Sequence, residues 1–313
     1  MKTVVTSDVA EAAGFITRGG IVAFPTETVY GLGANVFNAL AIAKVFVAKE
    51  RPVDNPLIAH ISGLDQVDKL ASIVTPSARA LIDEFFPGPL TVVLQRTAAV
   101  PDIATAGLDT IGIRMPRNKV ARPLIEAAGT PLVAPSANLS GRPSPTTWQA
   151  VLEDLDGRID CILQGDPTEI GLESTVVDCT GDVPILLRQG AVSLDELRVV
   201  VPDIRELGVA AGGEVRSPGL KHKHYSPVAR VILVGSPDEI AETKDSAFIG
   251  LLEPSIALAC IKVCRNVADY AHELFEFFRE CDRRGIATIY CEKVERSGIG
   301  GALMDRLTRA AQG

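Results

Sequence analysis

The sequence is poor in aromatic residues and has no long apolar run. Phe, Trp and Tyr make up 5% of the 313 residues, and the longest apolar stretches are only long enough for strands. None approaches the roughly 20 consecutive apolar residues that a transmembrane helix needs. Residues 1–15 include acidic side chains and no unbroken apolar segment, so we expect no secretory signal there. We therefore expect a cytoplasmic protein that does not associate with membranes.

Several common catalytic and metal-binding motifs are also absent. The sequence has no G-x-x-x-x-G-K-[ST] phosphate loop, no G-x-S-x-G nucleophile elbow and no H-E-x-x-H zinc motif. Cys260 and Cys264 are two of six cysteines, but the tight C-x-x-C spacing of zinc sites is missing. We interpret the cysteines as reduced, mostly buried thiols. The glycine-rich segment 298–301 is a candidate phosphate site, although a plain helix-entry turn explains it better.

The charge balance disfavours tight binding of nucleic acid. Asp and Glu number 39 against 31 Lys and Arg, which gives a net charge of −8. Proteins that grip nucleic-acid phosphates usually carry a basic excess or a basic stripe. The shortage of aromatic residues likewise disfavours stacking on unpaired bases. A local basic pocket for a single nucleotide remains compatible with this composition.

The composition is that of a globular chain with about two domains. Hydrophobic residues make up 47% and charged residues 22%, which allows a sizeable core. Residues 1–205 alternate apolar runs with amphipathic segments and predict a mixed α/β domain with one large sheet. Residues 206–228 are rich in glycine and proline and predict a linker. Residues 229–313 alternate strands and helices, which favours a smaller parallel, Rossmann-like sheet.

Hydrophobic periodicity, capping residues and turn residues predict the individual elements. In the first domain we predict helices at 38–48 and 77–86 and strands at 20–24, 56–61, 90–95, 110–115, 131–136, 174–179 and 185–190. In the second domain we predict strands at 229–235, 247–252 and 286–291 and helices at 237–244, 267–284 and 300–311.

Lys49 and Arg51 form a candidate anion site. Pro52 disfavours helix at Arg51, so we expect the preceding helix to end there. In extended backbone, residues two apart point to the same side, which would bring the two cations together. Such a pair suits a polyphosphate. The alternative is that both residues are simply cations favoured near a helix C-terminus.

Two further residues stand out within apolar strands. Arg114 is a charge in the strand TIGIRM, and a buried charge needs a partner. That partner is either a ligand carboxylate or phosphate, or a structural Asp or Glu. His60 lies in PLIAHI, where a satisfied structural histidine competes with a ligand contact.

Polar loops follow several of the predicted strands. Residues 24–33 combine hydroxyls, a carboxylate and glycines, and residues 134–144 combine hydroxyls, an amide and exposed backbone. Glu173-Ser174-Thr175 and Arg188 add similar groups at other strand ends. Strand ends are common places for small-molecule recognition. Cations, hydroxyls and amides without an evident nucleophile suit a reaction driven by positioning and charge stabilisation, such as adenylyl transfer from ATP with magnesium.

The order of these segments resembles the threonylcarbamoyl-adenylate synthase family, with its YrdC-type catalytic domain, in the longer two-domain form. The segments are PTETVYGLG, KERPVDNPL, PGPLTVVL, IGIRMP, APSANLSGRPSPT, ESTVVD, LRQG and SPGLKHKHYSP. The resemblance covers nearly the whole chain. It implies a mixed α+β fold, with a large twisted mixed sheet flanked by helices and a smaller Rossmann-like C-terminal domain.

The resemblance also implies a reaction. L-threonine, bicarbonate or CO2, and ATP with Mg²⁺ would give threonylcarbamoyl-AMP and pyrophosphate. A downstream tRNA threonylcarbamoyl transferase complex would use this product to modify the adenosine beside the anticodon. No tight direct binding of tRNA is expected of this chain.

The family signature K-x-R followed by S-x-N falls on Lys49 with Arg51 and on Ser136 with Asn138, and Lys49 and Arg51 would be catalytic. By resemblance, threonine would contact Thr28, His60, Arg114, Ala134 and Ser174. ATP would contact Arg51, Asn55, Thr110, Ser136, Asn138, Ser144, Arg188 and Tyr225. Tyr225 would close over the nucleotide as part of a lid formed by residues 206–228. No metal ligand is assigned to a protein side chain.

Two other functions fit part of these observations. An RNA-binding module of the same fold would also use a concave basic pocket, but the acidic charge and the few aromatics disfavour it. A carbamoyl-transfer domain of the hydrogenase-maturation type shares the fold. Those proteins carry zinc-finger and acylphosphatase-like regions that this sequence lacks.

Overall fold

The computed structural model of the protein describes residues 2–207, 226–241 and 244–312. Its strands are β1 Val4–Thr6, β2 Val22–Phe24, β3 Gly31–Asn35, β4 Ile58–His60, β5 Ala71–Ile73, β6 Leu90–Arg96, β7 Thr110–Arg114, β8 Leu132–Val133, β9 Cys161–Leu163, β10 Thr175–Asp178, β11 Ile185–Arg188, β12 Arg205–Glu206, β13 Arg230–Val234, β14 Ser246–Gly250, β15 Cys260–Val263 and β16 Thr288–Glu292.

Ten α-helices lie in the described part of the chain. They are α1 Val9–Thr17, α2 Ala39–Lys49, α3 Val67–Leu70, α4 Pro76–Phe85, α5 Asp102–Thr105, α6 Ala121–Ala128, α7 Trp148–Leu155, α8 Leu194–Val200, α9 Val267–Arg283 and α10 Gly300–Ala311. None of them is long and apolar enough to cross a membrane.

The first twelve strands form one mixed sheet within the described residues. Its order is β1-β9-β2-β3-β8-β4-β7-β6-β10-β11-β12, and β5 adds to β6. Strand β4 runs parallel to β7 and antiparallel to β8, so the C-terminal ends of β4 and β7 meet at one edge. Strands β6 and β10 run parallel to each other and antiparallel to β7 and β11 respectively. This alternation brings loops that are distant in sequence to the same edge of the sheet.

The helix ends follow from identifiable capping residues. The Asn38 side chain accepts hydrogen bonds from the amides of Leu40 and Ala41 and begins α2. Thr75 caps α4 ahead of Pro76, which suits the first turn because it has no amide proton to leave unpaired. Both caps satisfy amides that otherwise have no partner within the helix. The predicted helices at 38–48 and 77–86 are therefore confirmed to within two residues at each end.

The last four strands form a second sheet, in the order β13-β16-β14-β15, with every pairing parallel. We call β13–β16 with α9 and α10 the C-terminal unit, and β1–β12 with α1–α8 the N-terminal unit. The core of the C-terminal unit also contains Val29 and Leu172 of the N-terminal unit. The two units therefore share buried apolar surface.

The predicted fold class, a mixed α/β protein with a large mixed sheet and a Rossmann-like C-terminal sheet, is confirmed. The helix predicted at 237–244 is wrong, because in the described part of this segment Pro237–Glu239 form a 3₁₀ turn and Ile240 is already extended. This segment is almost entirely polar and has no apolar face to stabilise a longer helix. Residues 208–225, with most of the predicted linker, lie outside the described residues, and the domain boundaries at 205 and 229 stay predictions.

Candidate active site

A cleft of about 670 Å³ opens at the edge of the large sheet where β4, β7 and β11 end and β3 and β10 begin. The lining residues are Thr26, Thr28, Val29, Gly31, Arg51, Pro56, Leu57, Ile58, His60, Arg114, Ala134, Pro135, Ser136, Asn138, Arg142, Ser144, Glu173, Ser174 and Arg188.

Arg114 ends β7 and forms an ion pair with Glu27, with 2.7 Å between Nη2 and Oε1. Its Nη1 donates a hydrogen bond to Thr28 Oγ1 at 2.8 Å. The partner that the sequence left open is thus a structural carboxylate. Nη2 is engaged in this ion pair, whereas Nε of Arg114 has no hydrogen-bond acceptor among the described residues. Arg114 therefore keeps donor capacity for an anion in the cleft.

The turn between β2 and β3 fixes Thr28. Thr26 Oγ1 donates to the main-chain oxygen of Val29 at 2.7 Å and lies 2.8 Å from Thr28 Oγ1. Two glycines follow this turn, and a glycine can let the backbone approach a ligand closely. Gly31 does line the cleft. Gly33 has a different reason, because a Cβ there would lie 2.8 Å from the ring of Phe24.

His60 lies beside Arg114, as its register partner on the neighbouring strand β4. It is 4% exposed, and its Nδ1 lies 3.2 Å from the main-chain oxygen of Ile58. Burial, and then the charge of Arg114, lower the pKa of His60 to about 3. The imidazole is therefore neutral at pH 7 and offers a hydrogen bond without adding positive charge.

Lys49 and Arg51 converge differently from the way the sequence suggested. The extended backbone predicted there is wrong, because Lys49 is the last residue of α2 and Glu50 adopts a left-handed conformation with φ 52°. The Lys49 ammonium is buried and donates to the main-chain oxygens of Ser136 and Asn138, both at 2.5 Å. Arg51 lines the cleft and Lys49 does not. Lys49 thus binds the backbone of the Ser136–Asn138 loop without lining the cleft itself.

The same loop is stabilised by its own polar side chains. Ser136 Oγ donates to Asn138 Oδ1 at 2.6 Å. Asn138 Nδ2 donates to the main-chain oxygens of Leu139 and Arg142 at 2.8 and 2.9 Å. Burial, followed by the nearby charge of Arg51, lowers the pKa of Lys49 well below its ordinary value. The K-x-R and S-x-N segments are therefore joined into one structural unit, in which the S-x-N backbone accepts hydrogen bonds from Lys49.

Ser174 and Arg188 line the cleft where β10 begins and β11 ends. Arg188 Nε donates to the main-chain oxygen of Ser174 at 3.0 Å, and its Nη2 donates to Ser174 Oγ at 3.1 Å. Thr91 Oγ1 lies 2.8 Å from the same hydroxyl. These contacts fix the Ser174 hydroxyl at the start of β10 and the Arg188 guanidinium at the end of β11. Both groups line the cleft.

The structure brings most of the predicted site residues together. Those that line the cleft are Thr28, Arg51, His60, Arg114, Ala134, Ser136, Asn138, Ser144, Ser174 and Arg188.

Three predicted residues do not line it. Lys49 lies behind the loop, and Asn55 is buried next to the cleft residue Pro56. Thr110 begins β7, whereas the cleft residue Arg114 ends it, so the two lie roughly 13 Å apart along the strand. Tyr225 lies outside the described residues.

The site assignment omitted two cleft residues of note, Glu173 and Arg142. Glu173 precedes a predicted strand in the segment ESTVVD, and a carboxylate beside a buried strand was the available signal. Arg142 lies in the loop 134–144, which the sequence did single out as a recognition loop.

The described residues do not provide a cluster of three or more His, Cys, Asp or Glu that could hold a metal ion. The two acids of the cleft region, Glu27 and Glu173, each pair with an arginine. This donor set does not suit a protein-held Mg²⁺, which prefers free carboxylates and water. A magnesium ion that arrives with ATP stays a prediction.

Fold and cleft together define an α/β protein with two sheets and a cleft lined by hydroxyls, an amide and arginines. A family model described as "Telomere recombination" (Sua5_yciO_yrdC) matches residues 14–190, and the model "Threonylcarbamoyl-AMP synthase, C-terminal domain" matches residues 192–312. The chain belongs to the threonylcarbamoyl-AMP synthase family.

Individual relatives agree with this assignment. The threonylcarbamoyl-AMP synthase of Pyrococcus abyssi is 42% identical, over 96% of this chain and 93% of that protein. The Bacillus subtilis protein of the same name is 40% identical, over 97% and 93% of the two chains. The crystal structure of P. abyssi Sua5 complexed with L-threonine superposes with a TM-score of 0.92 at 40% identity, covering 99% of this chain and 97% of that one.

Proposed function

We propose that the protein is an L-threonylcarbamoyladenylate synthase, which forms threonylcarbamoyl-AMP and pyrophosphate from L-threonine, bicarbonate or CO2, and ATP. The observation that carries the proposal is the cleft itself. It combines a buried arginine with donor capacity left over, a neutral histidine and a fixed S-x-N loop. A relative of the same fold, 40% identical, has been crystallised with L-threonine.

Threonine would occupy the wall formed by Thr28, His60, Arg114, Ala134 and Ser174. The Arg114 guanidinium would bind its carboxylate through the donors that Glu27 leaves unused. Neutral His60 would accept or donate a hydrogen bond without repelling the ammonium group. ATP would occupy the wall formed by Arg51, Ser136, Asn138, Ser144 and Arg188, where two guanidiniums suit phosphate oxygens.

The reaction would run in two steps. With CO2, the amine of threonine forms a C–N bond and loses a proton as the carbamate forms. With bicarbonate, the same C–N bond forms and a water molecule leaves. A carbamate oxygen then attacks the α-phosphorus of ATP, and the bond to the β-phosphate oxygen breaks to release pyrophosphate. Arg51 would neutralise charge on the phosphates, while Lys49 fixes the backbone of the Ser136–Asn138 loop. Alignment and charge stabilisation would supply the rate gain.

Several finer parts belong to the same proposal. Mg²⁺ would accompany ATP as part of the substrate. The product would pass to a tRNA threonylcarbamoyl transferase complex, without tight binding of tRNA by this chain. A cytoplasmic location is supported by six cysteines that are all free thiols.

The test is release of pyrophosphate from ATP and magnesium, with threonine and bicarbonate each present or omitted. We expect release only when both are present. Release that needs threonine but not bicarbonate would indicate amino-acid adenylation instead. A folded protein that releases no pyrophosphate, but binds RNA in a salt-sensitive manner, would favour the RNA-binding function.

A further inference from the structure

Arg306, on α10 of the C-terminal unit, reaches the wall of the cleft. It is fully buried, with 0% exposure. Its Nε donates to Glu173 Oε2 at 2.8 Å, and its Nη2 donates to the main-chain oxygen of Gln189 at 3.2 Å. The other oxygen of Glu173 accepts a hydrogen bond from Ser144 Oγ at 2.5 Å. A continuous chain of contacts thus runs from the C-terminal unit to a hydroxyl that lines the cleft.

Arg279, on α9, makes a second connection of the same kind. It is 5% exposed. Its Nη2 donates to Asp154 Oδ2 at 2.8 Å and to the main-chain oxygen of Pro143 at 2.6 Å. Asp154 in turn accepts from the amide of Leu139 at 3.2 Å and from Arg142 Nη1 at 2.9 Å. Arg279 therefore holds the far end of the recognition loop 134–144.

Buried charges of this kind are expensive unless they are paired. Burial by itself would raise the pKa of Glu173, but the charges of Arg306 and Arg188 and the hydrogen bond from Ser144 outweigh it, so this pKa lies below its ordinary value. Glu173 is thus ionised at neutral pH. The Ser144 hydroxyl, committed as a donor to Glu173, keeps its lone pairs for a ligand. Without Arg306, Glu173 would keep Ser144 and the charge of Arg188 but would lose the guanidinium that bonds its Oε2.

We propose that Arg306 and Arg279 are positioning residues, through which the C-terminal unit fixes the nucleotide-binding wall of the cleft. The proposal rests on the proposed function, because that function places the nucleotide against Ser144 and the 134–144 loop. Arg283 offers a matched comparison on the same face of α9. It pairs with Glu153 of the N-terminal unit at 3.0 Å, but its side chain is 44% exposed and it does not line the cleft.

The experiment measures calorimetric binding of α,β-methylene-ATP and, separately, of L-threonine to the full chain. We expect Arg306→Met and Arg279→Met each to raise the Kd of the nucleotide at least tenfold, which corresponds to about 1.4 kcal/mol. Arg283→Met should change it less than twofold. The Kd of threonine should stay within threefold in all three variants, since its wall is held by Arg188, Thr91 and Glu27.

A double-mutant cycle separates positioning from mere support of the interface. If Arg306 acts through Glu173, Arg306→Met should cost less than threefold in nucleotide affinity when introduced into Glu173→Gln. Full additivity of the two changes would overturn the proposal. So would an unchanged nucleotide Kd, or an equal loss of affinity for both ligands in a folded variant.

Variants with lysine cover the case in which the methionine variants do not fold. Lysine keeps the charge but not the fork that bonds two acceptors at once, so Arg306→Lys and Arg279→Lys should raise the nucleotide Kd about threefold. A wild-type Kd in both lysine variants would overturn the positioning role alone. A wild-type protein that binds neither ligand would refute the proposed function as well.

Discussion

Replacing Lys49 should reduce stability as well as activity, whereas replacing Arg51 should reduce activity alone. The Lys49 ammonium donates to the main-chain oxygens of Ser136 and Asn138 at 2.5 Å each. Lys49→Met would leave the buried Asn138 oxygen and the partly buried Ser136 oxygen without this donor, at about 1–3 kcal/mol each. Burial lowers the pKa of Lys49, which shows that burying its charge costs free energy. Removing that charge therefore offsets part of the loss. We expect a net loss of about 2–4 kcal/mol in the free energy of unfolding.

Arg51 differs because it lies at the surface of the cleft and its bonds to the main-chain oxygens of Asn55 and Pro56 are long, at 3.4 and 3.3 Å. Arg51→Met should change the free energy of unfolding by less than about 1 kcal/mol. Both variants should lose pyrophosphate release by at least about 100-fold, since each removes positioning or charge stabilisation.

Urea unfolding of the two variants and of wild type measures the difference. A loss of about 2–4 kcal/mol should lower the urea midpoint of Lys49→Met by on the order of 1 M. Lys44→Met is the control, because Lys44 lies on the same helix but is exposed and bonds only at the surface. If Lys49→Met unfolds at the same urea concentration as Lys44→Met, the role assigned to its buried ammonium is refuted.

Two further predictions follow from buried groups around the cleft. The pKa of His60 falls from 6.5 to about 3 on folding, so only the unfolded state binds this proton between those values. The free energy of unfolding should therefore decrease as the pH is lowered through that range, by up to about 1.4 kcal/mol per pH unit. His60→Gln should make this dependence on pH shallower in urea unfolding at pH 4 to 7. Equal slopes for the variant and wild type would contradict a neutral buried His60. A Cβ at Gly190 would lie 2.2 Å from the Thr175 nitrogen. Gly190→Ala should therefore lower the free energy of unfolding by roughly 1–3 kcal/mol and weaken threonine binding. The control is Gly181→Ala, which should change neither quantity because its Cβ would meet nothing closer than 3.9 Å.

Predictions from sequence succeeded where local signals were strong. The helix over 267–284 has an asparagine cap and an unbroken amphipathic period, and the structure has it at Val267–Arg283. The strand at 90–95 is a seven-residue strand in the structure. Long periodic segments are stabilised mainly by their own apolar face, so local pattern and final structure agree.

Short elements escaped prediction because nothing local specifies them. Strands β1, β5 and β9 have three residues each. Strand β15 at Cys260–Val263 lies at the edge of its sheet and is only half-buried. Such strands form because they pair with a neighbouring strand that is distant in sequence. The residues of one short segment do not indicate this pairing.

The residues of the cleft were largely readable from sequence, but their partners were not. The motifs placed hydroxyls, an amide and arginines at strand ends, and ten of the site residues that the resemblance implied line one cleft. The pairing of Arg114 with Glu27, and the seating of Lys49 beneath a loop some 90 residues later, depend on which strands lie side by side. The local sequence leaves that choice open.

The sequence by itself determined the α/β class, the longer helices, the family and most of the residues that line the cleft, because these depend on local periodicity and on motifs. Only the tertiary structure decided that Lys49 supports the Ser136–Asn138 loop rather than lining the cleft. It alone decided that Arg306 and Arg279 reach across from the C-terminal unit. The physical reason is that a buried charge must find a partner in three dimensions, and the partner is set by packing rather than by neighbours in the chain.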